Sequence, residues 1–276
     1  MRIGAHLRTR REVGAVIETA HSYGADAAQL FISSPRAWAG PRVSEEEGEA
    51  FRTRWAESGL GPLFVHAPYL VNIASPNPEF VAKSVELLSR TIEGCEAIGA
   101  DGFVVHAGSG GPGDRAEALD RAAATLRDIL PLAENVRIVV ELMAGTAGAV
   151  ASTFPEAAEL FALVGDQPLR LCTDTCHLCA TGYDLSTIEG VRATFDELRA
   201  EGLEDRLVLV HANDAEFPCG ARRDRHTNIG EGHIGVDGFR AILAETAVKA
   251  AAAVLVETPG DVDAHRRDIE TLRGLV

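Results

Sequence analysis

The sequence predicts one (β/α)8 barrel, a single domain over residues 1–276, and two observations carry the prediction. Six successive apolar runs of strand composition end in a side chain able to bind a metal: His66, His106, Glu141, Asp174, His211 and Glu257. Around them the chain divides into eight strand-then-helix units of roughly 30 to 45 residues, as in a barrel whose strands point their C-terminal ends at one face. An open doubly wound sheet is the alternative. However, GAHLRTR lacks the glycine pattern of a dinucleotide loop, no phosphate-loop motif occurs, and an open sheet would spread those side chains along an edge.

Ile3 to Leu7 has strand composition, Arg8 to Arg11 reads as a basic turn, and Val13 to Tyr23 has helical spacing that Gly24 ends. Ala27 to Ile32 is the second strand and leads into the loop SSPRAWAGP. Ser44 followed by Glu47 forms a capping box for a helix through Ala56. Leu63 to Val65 is the third strand, and the helix from Glu79 to Ile98 stops near Gly99. Phe103 to Val105 is followed by a helix from Arg115 to Leu130, and Arg137 to Val140 by a helix starting at Thr153, with Pro155 in its first turn. Leu169 to Thr173 precedes the TGYD turn and a helix from Thr187 to Ala200. Leu207 to Val210, a helix from Asp237 to Ala250, the strand Ala253 to Val256 and a helix from Val262 to Leu272 complete the pattern.

With 46% apolar and 24% charged residues the composition is that of an ordinary globular chain. The formal net charge of -15 excludes a broadly basic, nucleic-acid-coating surface, though not a local binding face, because bound divalent cations cancel part of a carboxylate-rich site. All basic residues except Lys83 and Lys249 are arginines, the type suited to bidentate phosphate contacts. The odd count of five cysteines and an N-terminus, MRIGAHLRTRR, without a long apolar core point to a reducing, cytoplasmic setting. Cys172, Cys176 and Cys179 lack a matching second pair, so all five cysteines read as structural or incidental. No run is long enough to span a membrane.

Three further candidates join the six strand-end side chains: His177, three residues after Asp174, and Asp224 with His226, whose i, i+2 spacing puts both on one side of an extended backbone. These nine are ordinary nitrogen and oxygen ligands for zinc, manganese or iron, and suffice for two or three ions. His21, His233 and His265, each taken singly, read as hydrogen-bonded rim residues. A four-ligand site of Glu141, Asp174, His211 and Glu257 would suit a sugar isomerase or epimerase, and a metal-stabilised binding protein is a third reading. The surplus of ligands favours phosphoester hydrolysis, in which clustered ions generate a nucleophile and stabilise phosphoryl charge.

Three stretches, HAPYLVNIASP from His66, DTCHLCATGYD from Asp174 and HANDAEFPCGARRDRHTNIGEGHIG from His211, resemble signatures of the endonuclease IV family, zinc-dependent apurinic/apyrimidinic endonucleases on a TIM barrel. The likeness runs from GAH near the N-terminus to Glu257, and the nine metal-binding positions match in kind and order. It implies three divalent ions, foremost Zn2+, with Mn2+ or Fe possible. Glu141 would bridge two of them, His66 and His106 completing the first, Asp174, His211 and Glu257 the second, and His177, Asp224 and His226 the third. Glu141, Asp174 and Glu257 would then be the catalytic carboxylates. The reaction implied is hydrolysis on the 5′ side of an abasic nucleotide in duplex DNA, as in base excision repair, leaving a 3′-hydroxyl and a 5′-deoxyribose phosphate, by a cytoplasmic monomer. Arg36 and Tyr69 match residues of the family's DNA face, with Trp38 in support and Arg222, Arg223 and Arg225 as phosphate partners. The chain departs from the family's pattern at LRTRR after the first strand, at LMAGTAG after Glu141, and at Glu216, where a lysine is common.

Overall fold

The computed structural model describes residues 1–7 and 15–276, so the Arg8–Arg11 turn, with most of LRTRR, and the Val13 start of the first expected helix lie outside the described residues. Eight parallel strands close into a barrel: β1 (Ile3–His6), β2 (Ala28–Leu30), β3 (Leu63–His66), β4 (Gly102–His106), β5 (Arg137–Glu141), β6 (Arg170–Asp174), β7 (Leu207–His211) and β10 (Ala253–Val256). A two-stranded hairpin, β8 (Asp214–Ala215) and β9 (His226–Thr227), is inserted between the last two. Closure comes through β1, which pairs with β10 on one side and β2 on the other. The helices are α1 (Val16–Tyr23), α2 (Glu45–Glu57), α3 (Pro78–Ile98), α4 (Arg115–Ile129), α5 (Phe154–Val164), α6 (Thr175–Thr181), α7 (Ile188–Ala200), α8 (Gly235–Ala244), α9 (Thr246–Ala250) and α10 (Val262–Arg273).

Two apolar layers form because alternate residues of a strand face opposite ways. Leu63 and Val65 of β3 join the large core between barrel and helices, whereas Phe64 joins an inner cluster with Ala27, Val104, Val139, Cys172, Leu209, Ala253 and Leu255. Gly102 makes room for that filling, since a Cβ there would stand 2.8 Å from the Phe64 ring. Truncating Phe64 to alanine would cost about 3 to 5 kcal/mol in lost burial and cavity. Continuing two residues along the inner face leads from Ala27, Phe64, Val104, Val139, Cys172, Leu209 and Leu255 to Gln29, His66, His106, Glu141, Asp174, His211 and Glu257. The filled barrel is therefore the floor on which a polar ring stands.

The expected capping box at Ser44 and Glu47 is present, and Gly24 and Gly99 end α1 and α3 in the left-handed conformation. Three features differ from the sequence reading. The helix expected over Asp237 to Ala250 is two, α8 and α9, because Glu245 between them is extended (ψ 139°). The segment after Asp174 is a short helix, α6, and the polar stretch after His211 contains the hairpin. Finally, two cysteines are paired: Cys179 and Cys219 form a disulfide, while Cys95, Cys172 and Cys176 are buried thiols. Forty residues separate the two in sequence, but α6 and the segment after β8 run together through Gly220 N–H to Cys179 O (2.7 Å) and Arg222 N–H to Ala180 O (2.9 Å). No helix among the described residues is long and apolar enough to cross a membrane.

Candidate metal centre

All nine predicted ligand residues meet at the C-terminal end of the barrel. Glu141, on β5 and 1% exposed, is their hub. Its Oε2 lies 3.2 Å from His66 Nε2 and 3.4 Å from His106 Nε2, and its Oε1 lies 3.3 Å from His211 Nδ1 and 3.4 Å from His177 Nδ1. Ligand atoms of His66, His106 and Glu141 fall within 4.8 Å of one another, as do those of Asp174, His211 and Glu257 and those of Asp174, His177 and His226. Asp224 completes the last group, 3.3 Å from His177 Nε2 and 3.2 Å from His226 Nε2.

Local structure explains how the later members arrive. Asp174 is both the end of β6 and the N-cap of α6: its Oδ1 accepts from Cys176 N–H (2.7 Å) and His177 N–H (3.2 Å), so the carboxylate starts the helix that carries His177. Its Oδ2 accepts from Asn213 Nδ2 (2.7 Å) and faces His226 Nε2 at 3.4 Å. Asn213 also receives the Glu257 N–H at 2.8 Å and so ties β10's end to β6's. The hairpin pairs Ala215 with His226, and Arg225 O accepts from Glu216 N–H at 3.0 Å, which holds Asp224 and His226 over the rim.

Four carboxylates and five imidazoles packed this closely perturb one another. Burial works against the charge on Glu141, yet His211 and His106 outweigh it and hold its pKa well below the usual carboxylate range. Glu257 and Asp224 are depressed in the same way, by His211 and His6 and by His177 and His226 respectively. Burial likewise opposes charge on His177 and His226, but Asp174, Asp224 and further carboxylates raise them to about 10 and about 9; His211 is raised as well. Buried ion pairs of this kind are a poor source of stability, and a centre built for divalent cations explains them better. Two atoms support the fit: His211 Nδ1 and His226 Nε2 are buried, face the carboxylates and, among the described residues, have no hydrogen-bond partner. Burial pushes the Cys172 thiol, which lies among Glu141 and His211, up to about 12, so it stays a protonated thiol.

Three residues of the site were not among the nine. His6, at the end of β1, has its Nδ1 2.7 Å from Glu257 Oε1. Gln29 on β2 is fully buried between Glu257 and His211, and Asn213 makes the contacts above. The missed signal is positional: His6 ends the first apolar run as His66 and His106 end theirs, and Gln29 follows Ala27 by two on the inner face.

With the geometry in place, comparisons with known proteins become specific. Residues 17–275 match a family described as xylose isomerase-like TIM barrel. A probable endonuclease 4 of Natronomonas pharaonis is 36% identical over 94% of this chain and 92% of its own length, and one of Streptomyces avermitilis is 36% identical over 99% and 89%. The crystal structure of endonuclease IV from Thermus thermophilus superposes with a TM-score of 0.87 at 32% identity, covering 100% of this chain and 98% of that one. The chain belongs to the endonuclease IV family. A D-tagatose 3-epimerase-like protein, with a TM-score of 0.76 at 22% identity, shares the barrel fold. Like its endonuclease IV relatives the chain is an enzyme of the nuclease type, and its clustered His, Asp and Glu groups are candidate metal ligands.

The candidate DNA-contact residues surround the same opening of this endonuclease IV barrel. Arg36 is exposed in the loop after β2, and Tyr69, 59% exposed after β3, packs one edge on Phe31 with ring centroids 5.1 Å apart. Arg222, Arg223 and Arg225 are exposed around Asp224; among the described residues neither these three nor Arg36 is ion-paired, and Arg223 stacks 4.6 Å over the Phe217 ring. Trp38 meets Phe80 edge-on at 5.1 Å, and Glu216 is exposed beside the arginine segment.

Proposed function

We propose that this chain is an apurinic/apyrimidinic endonuclease of base excision repair, hydrolysing the phosphodiester on the 5′ side of an abasic nucleotide in duplex DNA. The products are a 3′-hydroxyl and a 5′-deoxyribose phosphate. The reading rests on one observation above others: a third ligand group, His177, Asp224 and His226, stands beside the strand-end groups and joins them through Asp174 and Glu141. A sugar epimerase on the same barrel has no use for that third group.

Three divalent ions, Zn2+ foremost, with Mn2+ or Fe compatible with the same nitrogen and oxygen donors, would be held by His66, His106 and Glu141, by Glu141, Asp174, His211 and Glu257, and by His177, Asp224 and His226. Ions so held supply a nucleophile at neutral pH and neutralise charge developing on phosphorus and on the leaving oxygen. The chain's own groups do the rest. His66 Nδ1–H donates to Ala67 O (2.7 Å) and His177 Nδ1–H to Leu142 O (2.8 Å), which turns the other nitrogen of each ring towards the carboxylates. Arg36, Arg222, Arg223 and Arg225 meet backbone phosphates, and Tyr69 offers an aromatic face at the mouth, where an abasic sugar leaves the stack at least cost. All nine groups come from one chain, so a monomer suffices.

The test is incubation of the zinc-loaded protein with an end-labelled duplex carrying one abasic analogue, beside an intact duplex. A single cut on the 5′ side with a 3′-hydroxyl end is expected. An uncut abasic duplex at full metal occupancy would overturn the assignment.

A further inference from the structure

Each histidine of the centre must turn one ring nitrogen to the carboxylates and find a partner for the other. His66 and His177 use backbone carbonyls, and so does His226, whose Nδ1 lies 3.4 Å from Glu257 O. His211 differs: its Nδ1 faces both Glu141 and Glu257, at 3.3 and 3.5 Å, and its other nitrogen meets a side chain instead of a carbonyl, Nε2 standing 3.0 Å from Gln29 Oε1.

The Gln29 carboxamide has only one orientation that works. Its other end lies 2.7 Å from Glu257 Oε1, and an ionised carboxylate only accepts, so that end is the NH2 group. The carbonyl oxygen is then left to His211, and an oxygen facing Nε2 at 3.0 Å requires the proton on Nε2. The ring nitrogen left open to a metal is therefore Nδ1, which among the described residues has no hydrogen-bond partner. His6 reinforces the arrangement: its Nδ1–H donates to the same Glu257 oxygen at 2.7 Å, and the 3.0 Å between His6 Nδ1 and Gln29 Nε2 is the spacing of two donors converging on one acceptor. Full burial of Gln29 on β2 gives the amide no solvent with which to exchange these partners.

We infer that Gln29 is a positioning residue of the metal centre, which locks His211 in the Nε2–H form so that Nδ1 is its ligand atom and at the same time aims the Glu257 carboxylate at the same ion. This deepens the proposed function, resting on its metal centre though not on its substrate. One side chain thus couples two ligands that β7 and the end of β10 deliver separately. Ligand-orienting partners of this kind typically change metal affinity 10- to 100-fold when removed.

Two measurements test the inference. In the zinc-loaded wild-type protein, nitrogen-15 ring correlations assigned to His211 are expected to show Nε2 protonated and Nδ1 bound to zinc; zinc on Nε2, or no zinc on His211, overturns it. In Gln29→Met, which keeps the length of the side chain without its hydrogen bonds, zinc titration against a competing chelator is expected to find one equivalent weakened about 10- to 100-fold and the others unchanged. Wild-type affinity for every equivalent would overturn it. The wild-type spectrum stands even if Gln29→Met fails to fold. Failure of the two readings is separable: a wild-type chain that binds zinc through His211 Nδ1 but leaves abasic DNA uncut defeats the proposed function alone, whereas a cutting enzyme whose Gln29→Met form binds zinc normally defeats the role of Gln29 alone.

Discussion

The proposed metal centre has two halves made differently. His66, His106, Glu141, Asp174, His211 and Glu257 stand on or next to barrel strands, so parallel ladders and the apolar filling beneath them set their positions. His177, Asp224 and His226 ride on a seven-residue helix and a two-pair hairpin, and Asp224 keeps 46% of its side chain exposed where Glu141 keeps 1%. The strand-borne half is preorganised at the cost of folding the barrel. The loop-borne half needs its own ties: the Asp174 cap, the Asn213 bridge and the Cys179–Cys219 bond. Local openings are drawn from regions with few buried contacts, which places the softer end of the site in the second half.

The sharpest way to break this contrast is to remove a strand-borne carboxylate. Glu257→Gln keeps the shape but loses the charge at the group shared by His211, Gln29 and His6. Turnover should fall roughly a thousandfold, about 4 kcal/mol of barrier, with binding of abasic duplex retained. An unchanged rate and metal content in steady-state and metal assays would remove Glu257 from the centre.

Opening the disulfide tests the other half. Cys179 is two residues from His177 and Cys219 five from Asp224, and closing a 40-residue loop contributes at most about 4 kcal/mol in the chain-entropy account. Cys219→Ser, or treatment of the wild type with a dithiol, should lower stability and speed chelator extraction of one metal equivalent on the order of tenfold, with the strand-borne ions retained. Equal loss of all three equivalents would mean that the two halves are not mechanically distinct.

Acid and base sharpen the comparison further. His177 and His226, at about 10 and about 9 against an unfolded value of 6.5, bind protons more tightly when folded, so their contribution to the metal-free protein is complete below pH 6.5 and lost as pH rises through 9 and 10. Glu141 and Glu257 are held below their ordinary 4.5, so their contribution is complete above that value and lost as pH falls through their depressed pKa values. Thermal melting of the metal-free chain should therefore show greatest stability between about pH 4.5 and 6.5. Divalent ions replace the same histidine protons, so metal affinity should climb over the alkaline window in which metal-free stability declines. Parallel melting profiles with and without chelator would contradict the charge balance described for the site.

The same division governs what could be read before the structure. Candidate ligands on strands are legible because short continuous apolar runs end abruptly in His66, His106, Glu141, Asp174 and His211, and a barrel turns those ends to one centre. Gln29 is not, because it sits inside the apolar-looking run Ala27 to Ile32 and a carboxamide is no metal ligand; only its distances to His211 and Glu257 give it a role. The Cys179–Cys219 pair depends on α6 lying against the segment after β8, a tertiary contact with no local signal. Glu245 breaks an alanine-rich helix without the glycine or proline that would have marked it. Asp224 and His226 were recognisable as a pair from their spacing, while the hairpin that carries them is too short to have a strand pattern.

The smallest effect belongs outside both halves. Arg36 lies on the β2 loop, exposed and, among the described residues, without an ion-pair partner, so its loss should leave every metal equivalent in place. If it meets a phosphate, Arg36→Ala should weaken abasic-duplex binding several-fold and make the slope of log affinity against log salt shallower by about 1. Cleavage at saturating DNA should then be nearly unchanged, because a phosphate contact of this kind acts equally on substrate and transition state and appears in KM. A dissociation constant equal to wild type at matched salt would place the DNA path elsewhere on the rim, with Arg222, Arg223 and Arg225 on the loop-borne side as the next residues to replace. That outcome would shift substrate recognition, and not only metal binding, towards the softer half of the site.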